Sequence, residues 1–250
     1  MENNTAATST RVALVTGGSR GIGAAIALRL AGDGVDVVLT YENSAEQAEE
    51  VAAKIRAMGR RALAIQADSA DVDAVTAAVD RAAEAFGRLD VVVNNAGVFL
   101  VGPLEDLGPA EFERTIAVNV RAPYAAARAA ARHVGDGGRI ISIGSNVAER
   151  SVFPGFALYA MSKSALIGMT KGLARDLGPH GITVNLVNPG PTDTDANPAD
   201  GPGADAVRGF TALGRYATPD DIAATVAHLA GDSGRYITGA SVNVDGGFTA

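Results

Sequence analysis

The chain has 250 residues, 47% of them hydrophobic and 20% charged, with a formal net charge of −7. That is ordinary globular composition, enough for one α/β domain or two small ones, and its acidity argues against a nucleic-acid partner. The absence of cysteine excludes disulfides, thiolate zinc sites and a cysteine nucleophile, and His133, His180 and His228 lie too far apart in sequence for a metal site. No run approaches the ~18 apolar residues of a membrane span, so no membrane partner is expected. Met1–Thr10 is polar and lacks a secretory pattern. Residues 1–10 read as a disordered tail, residues 11–250 as one domain, and the cytoplasm as the expected location.

In chain order, the apolar run Val12–Val15 reads as a strand, and Ala24–Leu30 has helical periodicity. Val35–Tyr41 is a second strand. Ser44, with Gln47 three residues on, predicts a capping box at the start of a helix. Arg61–Gln66 reads as strand three, Asp71–Phe86 as a helix and Leu89–Val93 as strand four. A long Ala-rich helix is expected over Pro109–His133, bent at Pro123, which has no N–H to give. Arg139–Ile143 is strand five, Gly155–Leu177 a helix, and Ile182–Val187 strand six. Thr218-Pro219-Asp220-Asp221 caps a last helix, and Ala240–Val244 makes strand seven. Near-continuous apolar strands alternating with helices predict an α/β fold: a Rossmann-type, doubly wound parallel sheet of about seven strands with helices on both faces. Residues 190–214, rich in Pro, Gly, Asp and Asn, read either as a lid over the site or as a long surface loop.

Two features carry chemistry. Thr16-Gly17-Gly18-Ser19-Arg20-Gly21-Ile22-Gly23 lies between the first strand and the first helix, the context in which glycines let backbone approach a pyrophosphate at a helix N-terminus. Its glycine spacing differs from G-x-G-x-x-G. Tyr159 and Lys163 stand four residues apart on a helix, with Ser145 upstream. An ammonium on the same face is expected to lower the phenol pKa, and Ser145 can grip a carbonyl oxygen. Ser142 and Ser151 are alternatives to Ser145. In a parallel sheet the loops after strands one, four, five and six converge. They carry Gly17–Gly23, Asn94-Asn95-Ala96-Gly97, Ser145 and Pro189-Gly190.

Taken together and in order, these motifs, with Asn119 and Thr194, resemble the short-chain dehydrogenase/reductase family over essentially the whole chain. The ending Val244-Asp245-Gly246-Gly247 is similar to its 3-oxoacyl-carrier-protein-reductase-like branch. The resemblance implies Tyr159 as general acid or base, Ser145 as donor to the carbonyl oxygen, and Lys163 on the nicotinamide ribose while acidifying Tyr159. It also implies Asn119 as holder of a relay water. Cofactor contacts are expected from Gly17, Ser19, Arg20, Gly21, Ile22, Gly23, Tyr41, Asn95, Ala96, Gly97, Tyr159, Lys163, Pro189, Gly190 and Thr194. Ser145 stands one residue further from Tyr159 than the family spacing. The partners implied are a small carbonyl or alcohol substrate and three further copies of the chain, as a homotetramer.

The position that selects the cofactor falls at Tyr41, which is uncharged, and Arg20 supplies a cation, so NADP(H) is favoured over NAD(H). Glu42, next door, opposes a 2′-phosphate. Asp68 either contacts the adenine ring or is a plain loop aspartate. The expected function is reversible NADP(H)-dependent reduction of a ketone or aldehyde, with a small or medium apolar ketone as substrate. Val147, Phe153, Phe156, Phe210 and Leu213 are candidate pocket residues. Two alternatives stand beside it. One is an NAD-dependent alcohol dehydrogenase. The other is a regulatory protein binding a cyclic dinucleotide, because Pro189–Gly201 is similar to a segment of a biofilm-dispersal protein that binds cyclic di-GMP.

Overall fold

A computed structural model of the chain describes residues 10–250. The tail expected over residues 1–10 therefore lies outside the described residues except for Thr10. Seven parallel strands form one sheet in the order β3-β2-β1-β4-β5-β6-β7. They are β1 Val12–Val15, β2 Asp36–Tyr41, β3 Ala62–Gln66, β4 Val91–Asn94, β5 Arg139–Ile143, β6 Thr183–Pro189 and β7 Ser241–Val244. Both faces are covered, as a parallel sheet demands. Ala13, Val15, Val37, Leu39, Val91 and Val93 pack on one face beneath α1 (Gly21–Gly32), α2 (Ala45–Ala57) and α8 (Pro219–Ala230). Val12, Leu14, Val38, Val92 and Ile140 pack on the other, beneath α3 (Val72–Phe86) and α5 (Ala122–Ala130). The strand order reverses between β1 and β4, and the crevice for a ligand opens beyond their carboxyl ends.

Local chemistry sets the boundaries. Asp71 caps α3 by accepting from the N–H groups of Asp73 and Ala74, and Gly87 ends it in the left-handed region at φ 75°. Thr218 and Asp221 form the capping box of α8, with Pro219 in its first turn. The box expected at Ser44 does not form. Ser44 sits at φ −98°, ψ 62° with no side-chain cap bond, so its hydroxyl is left to face the cleft. Leu89 is buried but lies outside β4, which starts at Val91. Asp90 ahead of it turns its carboxylate onto the Val12 N–H (2.8 Å) and Arg88 (2.6 Å).

The single helix expected over Pro109–His133 is divided. α4 (Pro109–Ile116) runs into a π-helical turn, Ala117–Arg121, before α5. Pro123 has no N–H for the carbonyl four residues back, which belongs to Asn119, and the ladder slips there into the wider register. The long helix α6 (Ala157–Leu177) begins two residues later than expected. Within residues 190–214 lies a short helix, α7 (Ala204–Gly209), and strand-like bridges pair Thr192 with Ala217 and Thr194 with Asn197.

Candidate active site

The β1–α1 turn is built for close approach. Gly17 and Gly21 take positive φ, 62° and 54°. A Cβ on Gly23 would lie 2.3 Å from the Gly17 carbonyl oxygen and 2.4 Å from Asn95 Nδ2. The turn is stapled to its neighbours. Gly17 N–H donates to Thr40 Oγ1 (3.2 Å), and Asn95 Nδ2 donates to the carbonyls of Thr16 and Gly17 (2.9 and 3.0 Å). Thr16 Oγ1 accepts from the N–H groups of Asn95 and Ala96 (3.0 and 3.1 Å). The start of α1 carries no side-chain cap, so its free N–H groups are presented to the cleft, as an anionic pyrophosphate requires. A glycine cradle that a single methyl would fill, at the N-terminus of a helix, fits a dinucleotide.

The cleft measures about 570 Å³. Its walls bring together Gly17, Ser19, Arg20, Gly21, Ile22, Gly23, Tyr41, Asn95, Ala96, Gly97, Ser145, Tyr159, Lys163, Pro189, Gly190 and Thr194. Two expected site residues are absent from the walls. Asp68 turns its carboxylate to Arg114 (3.2 Å) and to the Ala70 N–H (2.8 Å), because a surface guanidinium and a local turn outcompete the cleft, while Ala67 and Ser69 beside it do line it. Asn119 sits one layer behind. Its Oδ1 accepts from the Val98 N–H (2.9 Å), and its Nδ2 donates to the Val98 carbonyl and to Ser162 Oγ (each 3.0 Å). Both amide donors and one acceptor site of the oxygen are thus engaged in clamping the loop after β4 to α6.

Ser145 follows β5 and is buried. Ser142 is committed within β5 as acceptor from Asn94 Nδ2 (3.2 Å), and Ser151 is exposed. Lys163 and Tyr159 share one face of α6, with Lys163 Nζ 5.7 Å from the Tyr159 ring centroid. Nζ donates to the Ile143 carbonyl at 2.9 Å. The expected acidification of the phenol is not what this cleft produces. Burial pushes Tyr159 up to about 12, and a hydrogen bond with Ser145 only opposes that rise. Burial likewise pushes Lys163 down to about 8, which still leaves it mostly protonated at neutral pH. Desolvation dominates both shifts, and the ammonium donates to the Ile143 carbonyl.

Two aromatic residues that the sequence did not single out, Phe99 and Phe248, also line the cleft. Phe99, two residues past Gly97, stands edge-on to Tyr159 (centroids 4.8 Å apart, 89°) and to Phe156 (5.6 Å). Phe153 links Phe156 to Phe210, and Phe210 links to Phe248 near the C-terminus. An aromatic wall thus runs from the phenol to the segment after α7. Of the candidate pocket residues, Val147, Phe153 and Phe156 line the cleft, whereas Phe210 and Leu213 are exposed and do not, Phe210 packing behind Phe153 and Phe248. At the opposite end Thr40, Glu42, Asn43 and Ser44 line the cleft. No group of metal ligands occurs among the described residues, nor any helix long and apolar enough to cross a membrane.

The proteins to which the chain is similar define its class as an oxidoreductase. Residues 17–249 match the family model described as Enoyl-(Acyl carrier protein) reductase. Over 240 residues the chain is 46% identical to the Cyclic-di-GMP-binding biofilm dispersal mediator protein of Escherichia coli K12, covering 96% of this chain and 98% of that protein. It is 42% identical over 250 residues to a versicolorin reductase of Emericella nidulans, covering 95% of each. A short chain dehydrogenase from Burkholderia cenocepacia J2315, solved in complex with NADP, superposes with a TM-score of 0.95 at 61% identity, covering 97% of this chain and 98% of that one. The chain belongs to the short-chain dehydrogenase/reductase family.

Proposed function

We propose that the protein is a reversible NADP(H)-dependent reductase of ketones or aldehydes. The observation that carries this reading is the shared cleft: Tyr159, Ser145 and Lys163 stand in the same 570 Å³ space as the Gly17–Gly23 cradle. The dinucleotide, when bound, supplies the hydride in reduction and accepts it in oxidation. Tyr159 donates its phenolic proton to the carbonyl oxygen as negative charge builds there, and takes a proton back in the oxidative direction. Ser145 holds the same oxygen, and its donor stabilises the transition state more than the ground state. Lys163, released from the Ile143 carbonyl, is the cation that holds ribose hydroxyls and counteracts the burial that keeps Tyr159 protonated. With both Asn119 amide donors engaged, a relay water at that residue falls to its main-chain carbonyl, the group that Pro123 deprives of a helical donor.

NADP(H) over NAD(H) is supported by the uncharged Tyr41 and the exposed Arg20 on the cleft wall, and by the NADP complex of the Burkholderia relative. The aromatic wall favours a substrate with a flat apolar group beside its carbonyl. One catalytic domain over residues 11–250, a homotetramer and cytoplasmic residence belong to the same reading. A panel of aliphatic and aryl ketones with NADPH and NADH in parallel tests it, and no turnover of any carbonyl would refute it. A cyclic-dinucleotide-binding regulator is the second reading, favoured by the 46% identity to the biofilm mediator. Calorimetric titration with cyclic di-GMP, with NADPH as competitor, separates the two. NAD-dependent alcohol oxidation uses the same residues and is distinguished in the panel by cofactor preference.

A further inference from the structure

Glu42 lies one residue past β2 and on the cleft wall, next to Tyr41, the position where a carboxylate would accept the adenosine ribose hydroxyls, and from there its own carboxylate can reach the diol and repel a 2′-phosphate. Its side chain is not free to do so. Arg114, brought from α4 on the far side of the switch point, donates from Nη2 to both Glu42 oxygens (3.1 and 3.2 Å). From Nη1 it donates to Asp68 Oδ1 (3.2 Å). One guanidinium thus ties down the two carboxylates nearest the adenosine end, while Arg114 itself does not line the cleft. The planar fork is what permits this grip, and a lysine ammonium offers no such geometry. The same cleft wall carries Arg20, whose side chain makes no hydrogen bond among the described residues, and Ser44, whose hydroxyl caps nothing.

We propose that Arg114 is a positioning residue for cofactor selectivity: it holds Glu42 tied and neutralised, so that this carboxylate does not oppose the 2′-phosphate that Tyr41 and Arg20 admit. Two effects act together. The ion pair offsets the negative charge that faces the phosphate, and the fork occupies the oxygens that would otherwise reach the ribose diol. The pair is partly exposed, so the electrostatic share is moderate and the geometric share decides the ranking between cofactors. The inference rests on the proposed NADP(H) reading and concerns only how the chain achieves that preference.

The test measures dissociation constants for NADPH and NADH by fluorescence titration, together with kcat and the melting temperature, in wild type, Arg114→Met, Glu42→Gln and the double variant. Arg114→Met is expected to lower the NADPH-over-NADH affinity ratio on the order of tenfold, about 1.4 kcal/mol, with kcat at saturating NADPH unchanged. Glu42→Gln alone holds the ratio at or above wild type, and the double variant matches Glu42→Gln because the effect of Arg114 runs through Glu42. An unchanged ratio in Arg114→Met, an equal loss for both cofactors, or a loss that persists in the double variant would overturn the proposal. Wild type that binds neither cofactor would refute the functional reading itself, and with it this inference, before any variant is made.

Discussion

At one end of the cleft Ser145 and Lys163 are buried and Tyr159 is half-buried, on elements fixed by the sheet and by α6. At the other, Arg20 is exposed, and Arg114 and Glu42 keep 35% and 45% of their side-chain surface in solvent. Desolvation governs the first group, as the opposite shifts of Tyr159 and Lys163 show. Screened charge governs the second. Substitutions at the buried end should therefore act on kcat and ignore salt, and substitutions at the exposed end should act on affinity and respond to it.

The largest effect should follow Tyr159→Phe, which keeps the ring against Phe99 and removes the proton. We expect kcat to fall on the order of 10³-fold, with NADPH affinity and melting temperature nearly unchanged. Retained turnover would break the division of labour between the two ends. The same substitution reads the phenol directly. In the protein alone, ultraviolet difference titration should lose a tyrosine that ionises at about 12 rather than near ~10. Adding oxidised cofactor to wild type should bring that ionisation down, because a cationic ring and a re-aimed Lys163 both favour phenolate.

Stability against pH sharpens the same contrast. Lys163 folds with its pKa lowered from 10.5 to about 8, so between those values the unfolded chain binds more protons and stability rises with pH. Tyr159 acts in the opposite sense: raised from 10.0 to about 12, its contribution is full below about 10 and is lost as pH rises through 12. Urea denaturation at intervals from pH 8 to 10.5 should show a rise in wild type, on the order of 1–3 kcal/mol, that Lys163→Met lacks. Equal slopes in the two proteins would mean that the ammonium is solvated.

The glycine cradle lies between the two ends and should yield an intermediate effect on binding alone. In Gly23→Ala the new methyl meets the Gly17 carbonyl at 2.3 Å and the Asn95 amide at 2.4 Å, so the turn must open. NADPH affinity should weaken on the order of 10²-fold, measured by fluorescence titration, if the cradle shapes the pyrophosphate site. Affinity within twofold of wild type would remove this turn from the cofactor site.

How much of this was legible depended on whether the signal was local. β1, β5 and the cap of α8 were readable because apolar runs and Thr-Pro-Asp-Asp state their own boundaries. So was the convergence of Gly17–Gly23, Ser145, Tyr159 and Lys163, since strand–loop–helix alternation fixes which loops meet. The π turn at Asn119 was half readable: Pro123 announced a bend, and the affected carbonyl lies four residues earlier. Contacts between distant residues gave no local sign. Nothing near Asp68 indicated that Arg114, 46 positions away, would draw it off the cleft. Phe248 joins the aromatic wall only because the chain end folds back, with Arg150 bonding its carbonyl. The sign of the Tyr159 shift was unreadable as well, because spacing specifies which groups are near but not how much water they lose.

The aromatic wall tests whether the buried end discriminates substrates as well as protonating them. Phe99 touches both Tyr159 and Phe156, and half of its surface faces outward. Phe99→Ala should raise KM for an aryl ketone about tenfold, since an aromatic pair is worth ~0.5–1.5 kcal/mol, while leaving a small aliphatic ketone within about twofold. An equal loss for both would assign Phe99 to holding Tyr159 rather than to holding substrate.

The smallest effect should separate the two ends without any substitution. At 0.05 M salt the Debye length exceeds ~10 Å, and at 0.5 M it falls to about half of that or less. A 2′-phosphate beside Arg20 and the Arg114–Glu42 pair lies within that range, so KM for NADPH should rise about two- to fivefold across the interval. KM for NADH, which lacks the phosphate, should move less. The Ser145–Tyr159–Lys163 group is shielded from mobile ions by its burial, so kcat should stay constant. A kcat that tracks ionic strength would mean that solvent ions reach Lys163, and that both ends of the cleft obey the same screened electrostatics.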